Sequence, residues 1–230
     1  MERFEAIPIP PDFHLRLSFE EVAAYPPKVV ADVEGIWQKI SEITDWDLYD
    51  GKVFQLKELH SDHMTGVFND YRYYYAQSCH PELKDEINIT LVGVTGVLKC
   101  DGKYLLGKRS KTVTQFPLMW EFAPSGGVSV DSLSGETIDY EKQVFEELTQ
   151  EVGMDWEFIT EIKPFLLIWD KEDRVVDICA RLSVDPIGMA TASYHSPEYI
   201  AYEWLSRDEI EEFLKDKDVV PTTKILLDYL

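Results

Sequence analysis

The chain has 230 residues, 45 % of them hydrophobic and 13 % aromatic, a composition that supports a sizeable folded core and excludes a disordered polypeptide. Its formal net charge of −21 repels phosphate backbones, which excludes nucleic acid as a partner unless metal intervenes. The same repulsion meets any anionic small molecule.

The opening "MERFEAIPIPPDF" is acidic and proline-bearing, with neither the basic start nor the apolar centre of a signal peptide. No apolar run approaches the ~20 residues of a membrane span. Cys79, Cys100 and Cys179 are odd in number and free of any CxxC pattern, so they read as buried, reduced thiols. The expectation is a cytoplasmic protein with no membrane partner. After Pro26-Pro27, Val30, Val33, Ile36, Trp37 and Ile40 recur at helical spacing. "KVFQLKELH" and "TGVFNDYRYYYAQ" read as two strands joined by "SDHM". His60 and His63 flank that turn, show no ligand spacing, and read as solvated.

From Ile87 the pattern changes. "INITLVGVTGVLK", the turn "CDG" and "KYLLGKRS" make a hairpin, and "LMWEFA" is a short strand leading to Gly126-Gly127. A polar loop, "VSVDSLSGE", precedes a helix from about Thr137 to Val152. "WEFITEIKPFLLIWD" and "RVVDICARLSVD" form another hairpin around the charged "KED". "EYIAYEWLS" is a strand, "RDEIEEFLKD" an amphipathic helix, and Pro221 opens a last helical turn. Strands outnumber helices and come in hairpins, which predicts a mixed α+β fold rather than a doubly wound parallel sheet. Residues 1–86 read as an extension packed on a domain of residues 87–230.

The helix carries the chemistry. At about 100° per residue, Ile138, Phe145, Leu148 and Val152 form one apolar stripe, and Glu147, Gln150 and Glu151 fall on the opposite side. Glu147 and Glu151 are a like-charged i, i+4 pair near a helix C-terminus, where the macrodipole disfavours anions. A hard cation such as Mg²⁺, or Mn²⁺ in its place, would offset that charge; a solvated acidic face is the plainer alternative.

The surroundings of this helix decide between them. "LLGKRSKTVTQFPLMWEFAPSGG", then Glu136, the helix, and "EYIAYEWLSRDEI" together resemble the Nudix hydrolase superfamily. Its box is GX5EX7REUXEEXGU. Leu105, Leu106, Arg109, Pro117, Trp120, Pro124, Gly126 and Gly127 match the usual lead-in. Glu147, Leu148, Glu151 and Gly153-Met154 match the box, and Glu198, Trp204, Asp208 and Glu209 match the trailer. Glu146 stands where the box has Arg, and Gln150 replaces its penultimate acid. The intervals on either side of Glu136 are longer than the box allows, by three residues before it and two after. The resemblance implies a Nudix fold and a divalent-metal pyrophosphatase of nucleoside diphosphate derivatives. It implies Glu147 and Glu151 as catalytic carboxylates and metal ligands, joined by the Gln150 oxygen and the Gly127 carbonyl. Glu147 is a candidate general base and Glu198 a weaker one. Arg109 is a candidate phosphate contact. Gln150 and Glu146 leave open a Nudix-fold module without activity.

"IWQKISEITDWDLYDGKVFQL" and "NDYRYYYAQSC" resemble the extension of a divergent eukaryotic branch acting on UDP-glucose, through Trp37, Leu48-Tyr49, Lys52, Phe54 and Tyr71-Arg72. That resemblance implies a nucleoside diphosphate sugar as substrate, with ADP-ribose or a dinucleotide coenzyme as the competing class. Tyr71 and Arg72 then become substrate contacts. Tyr73 to Tyr75 offer a stacking surface or pack on the core.

Overall fold

The computed structural model describes residues 2–20, 22, 24–43 and 51–230. They form a mixed α+β fold whose thirteen described strands share one hydrogen-bonded sheet. β1 (Phe4–Pro8) and β2 (His14–Leu17) come first, followed by α1 (Pro27–Ile43). β3 (Lys52–Leu59) and β4 (His63–Asp70) form a hairpin, followed by α2 (Tyr71–Cys79) and the short α3 (Lys84–Ile87). Next come β5 (Leu91–Cys100), β6 (Lys103–Arg109), β7 (Trp120–Phe122) and β8 (Ser125–Gly127). β9 (Leu133–Ser134) and β10 (Thr137–Ile138) precede α4 (Tyr140–Glu147) and a π-helical turn, Leu148–Val152. The hairpin β11 (Ile159–Asp170) and β12 (Val175–Val184) leads to α5 (Pro186–Thr191) and β13 (Tyr199–Ser206). The chain closes with α6 (Arg207–Leu214) and α7 (Pro221–Leu226).

β5 is central. It pairs in parallel with β12 and antiparallel with β3, β6 and β8. Its side chains alternate between two covered faces, so nearly every residue is buried, as expected for a strand with no solvated side. Val92, Val94 and Leu98 pack with Val144, Leu148 and Val152, which seats α4 and its π turn on one face. Val97 packs with Phe122, Ile210 and Leu226 on the other. Tyr74, Val29, Val33 and Ile89 form a third cluster beneath α1 and α2.

The segment expected as a strand through "YRYYYAQ" is helical from Tyr71. Tyrosine favours strands, but Tyr71, Tyr74 and Tyr75 stand at i, i+3 and i+4, and packing on α1 decides the outcome. Trp37 meets Tyr71 and Tyr75 edge-on at 6.4 and 5.7 Å. The tyrosines are therefore packed residues, not a free stacking surface. The helix predicted over 137–152 begins later. Thr137 and Ile138 form a strand, and Asp139 caps the helix by accepting from the Lys142 N–H at 3.0 Å.

The polar segment before α4 also differs from the loop expected. β9 and β10 pair with each other, and β10 pairs with β2, so this segment joins the sheet edge built by the N-terminal strands. Cys100 and Cys179 are buried thiols as expected, whereas Cys79 is exposed. Leu48 and Tyr49 lie outside the described residues. Among the described residues, no helix is long and apolar enough to cross a membrane.

Candidate active site

The site forms where the end of α4 meets β8. Gly127 pairs with Gly93 and Gly126 with Val94, which lays the glycine pair against the central strand. Glu147, the last residue of α4, rests its carboxylate on Gly126, where any Cβ would collide with it. Only glycine permits so close an approach. Glu147 Oε1 accepts from Gln143 Nε2 at 2.7 Å. The other end of that amide, Gln143 Oε1, accepts from Ser129 N, Ser129 Oγ and Ser132 Oγ at 3.0, 2.9 and 2.7 Å. The segment preceding α4 thus fixes the rotamer that holds Glu147.

Glu151 lies one turn further on, inside the π-helical segment, and is 1 % exposed. Its Oε2 accepts from the Ser125 N–H at 2.7 Å, while its Oε1 is buried and meets no hydrogen-bond partner. Tyr202 OH donates to the Glu151 carbonyl. The π turn ends at Gly153, whose φ of 66° is left-handed and whose missing side chain makes room for Ser193.

Glu147, Glu151, Glu198, Glu121 and Glu146 interact here. Burial pushes the Glu147 carboxyl up to about 7, opposed by the Gln143 hydrogen bond and reinforced by Glu198 and Glu146. Burial raises Glu151 well above the usual carboxylate range; Glu147, Glu198 and Glu121 add to this, and the Ser125 N–H opposes it. Glu198 is raised by burial and lowered by Arg109. Arg109 is not a surface arginine. It is paired with the buried Glu121, and its Nε donates to the Gln115 carbonyl at 3.0 Å. Tyr199 OH donates to the same Glu121 oxygen at 2.6 Å.

Glu147, Glu151, Gly127, Arg109 and Glu198 are therefore brought together. Gln150 is not: with Thr149 it faces solvent, because the widened π turn keeps Glu151 inward and carries these two residues to the surface. Tyr71 reaches the border, bonding Thr114 Oγ1 at 3.0 Å and lying within reach of the Arg109 and Glu198 charges. Arg72 points to α1 instead and pairs with Glu34 at 2.8 Å. Glu136 is exposed in the β9–β10 turn.

Three participants gain no role of their own from the sequence, although the charged "DKEDRVVD" stretch that ends at Asp177 reads as a hairpin tip of the kind that can supply a base. Glu121 is marked only as an acid inside the apolar "LMWEFA". Asp177 sits beside Gly93 within β12, beyond the hairpin tip, and burial lifts its carboxyl to about 7 with help from Glu121 and Asp170. Gln143 carries no mark that separates it from any helical glutamine. An all-oxygen pair in which one buried carboxylate oxygen lacks a donor fits a hard divalent cation. Among the described residues, no three His, Cys, Asp or Glu side chains already converge at ligand distance.

No protein-family model matches the chain, and no curated protein does. Among solved structures it is similar to a Deinococcus radiodurans protein, at 18 % identity over 60 % of this chain and 82 % of that one, with a TM-score of 0.48. It is also similar to a Nudix hydrolase from Alicyclobacillus acidocaldarius, at 11 % identity over 60 % and 89 %, with a TM-score of 0.48. A third is the Nudix domain of Shewanella oneidensis NrtR, crystallised with ADP-ribose, at 16 % identity over 60 % and 84 %, with a TM-score of 0.46.

Proposed function

We propose that this chain is a Nudix-type pyrophosphatase that cleaves the diphosphate of a nucleoside diphosphate derivative with the help of a divalent ion. The observation that carries this reading is the Glu147–Glu151 pair beside β8, with the half-buried Glu147 carboxylate resting on Gly126 and the buried Glu151 Oε1 left without a partner. Glu147, Glu151 and the Gly127 carbonyl are the proposed ligands of Mg²⁺ or Mn²⁺. Such an ion, when bound, neutralises diphosphate charge and activates water. The chain's own residues supply the positioning. Gln143 and the Ser125 N–H hold the two carboxylates, and Tyr202 holds the Glu151 carbonyl. Arg109, its guanidinium fixed by Glu121 and the Gln115 carbonyl, is proposed to face a phosphate oxygen.

The finer reading takes a nucleoside diphosphate sugar such as UDP-glucose, released as nucleoside monophosphate and sugar 1-phosphate, with residues 1–86 as an extension of the catalytic domain 87–230. Tyr71, at the border of the site, is the proposed contact from that extension. Purified protein with Mg²⁺ is to be given UDP-glucose, other nucleoside diphosphate sugars, ADP-ribose and NAD, with products resolved by chromatography. Turnover of the sugars above the others supports the finer reading. Preference for ADP-ribose retains only the pyrophosphatase. No turnover of any, with melting unchanged by Mg²⁺, points to a module without activity.

A further inference from the structure

The turn that carries Glu151 is held in its widened form from outside the helix. The carbonyls of Glu151, Val152 and Gly153 come at the helix end, where intrahelical partners run out. Each is taken by a donor from one later stretch of chain. Tyr202 OH donates to Glu151, the Tyr194 N–H to Val152 at 3.0 Å, and the Ser193 N–H to Gly153 at 3.1 Å. Within the turn, the Gly153 N–H reaches back to the Leu148 carbonyl, the i→i+5 bond that defines the π form.

These donors belong to a frame with contacts of its own. Tyr194 OH donates to the Met189 carbonyl at 2.6 Å and accepts from Trp204 Nε1 at 2.8 Å. The Tyr202 ring packs against those of Tyr194 and Tyr199, at 5.5 and 5.7 Å between centroids. Tyr194 has a left-handed φ of 49°, a conformation that costs free energy in a non-glycine residue and persists only where neighbours impose it. Gly153 meets the same stretch, since any Cβ on it would collide with Ser193.

A π turn holds one residue more than an α turn of the same span. If this turn tightened into the α form, the place now held by Glu151 would pass toward the residue before it, Gln150. The wide form keeps Glu151 buried and Gln150 exposed. Resting on the pyrophosphatase reading above, we propose that Tyr202, supported by Tyr194 and Trp204, is a positioning residue. Its hydroxyl selects the wide turn and so decides that Glu151, not Gln150, faces the ion.

Mn²⁺ titration of the full chain, read by electron paramagnetic resonance beside steady-state kinetics, compares wild type, Tyr202→Phe, Gln150→Glu and the double variant. Tyr202→Phe should bind Mn²⁺ about tenfold more weakly, the lower end of the range for a partner that orients a ligand. Its kcat should fall with KM little changed. Gln150→Glu alone should alter Mn²⁺ affinity by less than about twofold, because its charge stays in solvent. In the Tyr202→Phe background the same change should tighten binding about fivefold or more, as expected for coupled neighbours. A merely structural hydroxyl would lower the melting temperature without making the two positions depend on each other. Trp204→Phe removes the donor to the Tyr194 hydroxyl and should show the same dependence more weakly, which serves if Tyr202→Phe fails to fold. Wild-type Mn²⁺ affinity in Tyr202→Phe, or an equal effect of Gln150→Glu in both backgrounds, overturns the proposal. Mutual dependence without turnover of any nucleotide supports it and overturns hydrolysis; turnover without that dependence does the reverse.

Discussion

Gln143 Nε2 donates to Glu147 Oε1 at 2.7 Å while the opposite end of the same amide takes three hydrogen bonds from Ser129 and Ser132. One side chain thus couples an irregular segment to the proposed metal ligand. Gln143→Glu keeps the acceptor for the serines but replaces the donor with a group that repels Glu147. Turnover should fall about 10- to 100-fold, the range for a partner that orients a ligand. Steady-state kinetics beside circular dichroism would check this, and unchanged kcat would remove Gln143 from a positioning role.

Gly126→Ala places a methyl group where the Glu147 carboxylate now rests. The carboxylate must swing away or β8 must shift, and a displacement near 1 Å costs about 100-fold in rate. The expected variant is folded, binds Mg²⁺ more weakly, and is nearly inactive. Near-wild-type kinetics would show that Glu147 works from another position.

Stability should depend on pH in a defined direction. The Glu147 carboxyl is raised from 4.5 to about 7, chiefly by burial. A raised folded value means its stabilising contribution is complete below 4.5 and is lost as pH rises through about 7. Asp177, raised from 3.8 to about 7 by burial, acts in the same sense. Metal-free melting temperature should therefore decline from pH 5 to pH 8. Glu147→Gln should flatten that decline, and Mg²⁺ should offset it most at the alkaline end. A metal-free curve that rises across this window would contradict the burial of these groups.

Arg109 and Glu121 form a buried ion pair, and both side chains are largely shielded from water. Arg109→Met leaves the Glu121 carboxylate uncompensated and should cost about 3–5 kcal/mol of unfolding free energy. Adding Glu121→Gln should recover part of that loss. Denaturant unfolding of both single variants and the double variant measures the coupling directly. Independent, additive effects would show the pair to be unimportant.

Gln150→Glu completes the acidic pattern of the box on paper, yet Gln150 is exposed and Glu151 is not. The substitution should change the Mg²⁺ concentration for half-maximal activity by less than about twofold, since an exposed charge is screened within a Debye length. A marked tightening would mean that the turn re-forms as a regular α-helix when the ion binds.

The strands of the second half were legible because β-branched runs bounded by turn residues leave few alternatives, as in "INITLVGVTGVLK" and "EYIAYEWLS". Glu147 and Glu151 stood out through the resemblance of their surroundings to the Nudix box; two like charges near a helix end left a solvated acidic face open. What escaped depends on contacts remote in sequence. Tyr71 to Cys79 became helical through packing on α1, against the strand preference of tyrosine. The Leu148–Val152 turn widened in a way that helical spacing cannot announce, and so removed Gln150 from the site. Gln143, Glu121 and Asp177 gain meaning only from partners placed by the sheet.

The pairing of Thr137 and Ile138 with Leu15 and Arg16 has a bearing on how this protein can be divided. A fragment starting at Ile87 would forfeit the mate of the strand that launches α4, along with Phe13, Leu15, Phe54 and Met64, which share a core with Leu148. Mechanically, β2 and the side chains of Phe13, Leu15, Phe54 and Met64 act as a buttress for the acidic turn, and a fragment without them should not be expected to keep it in place.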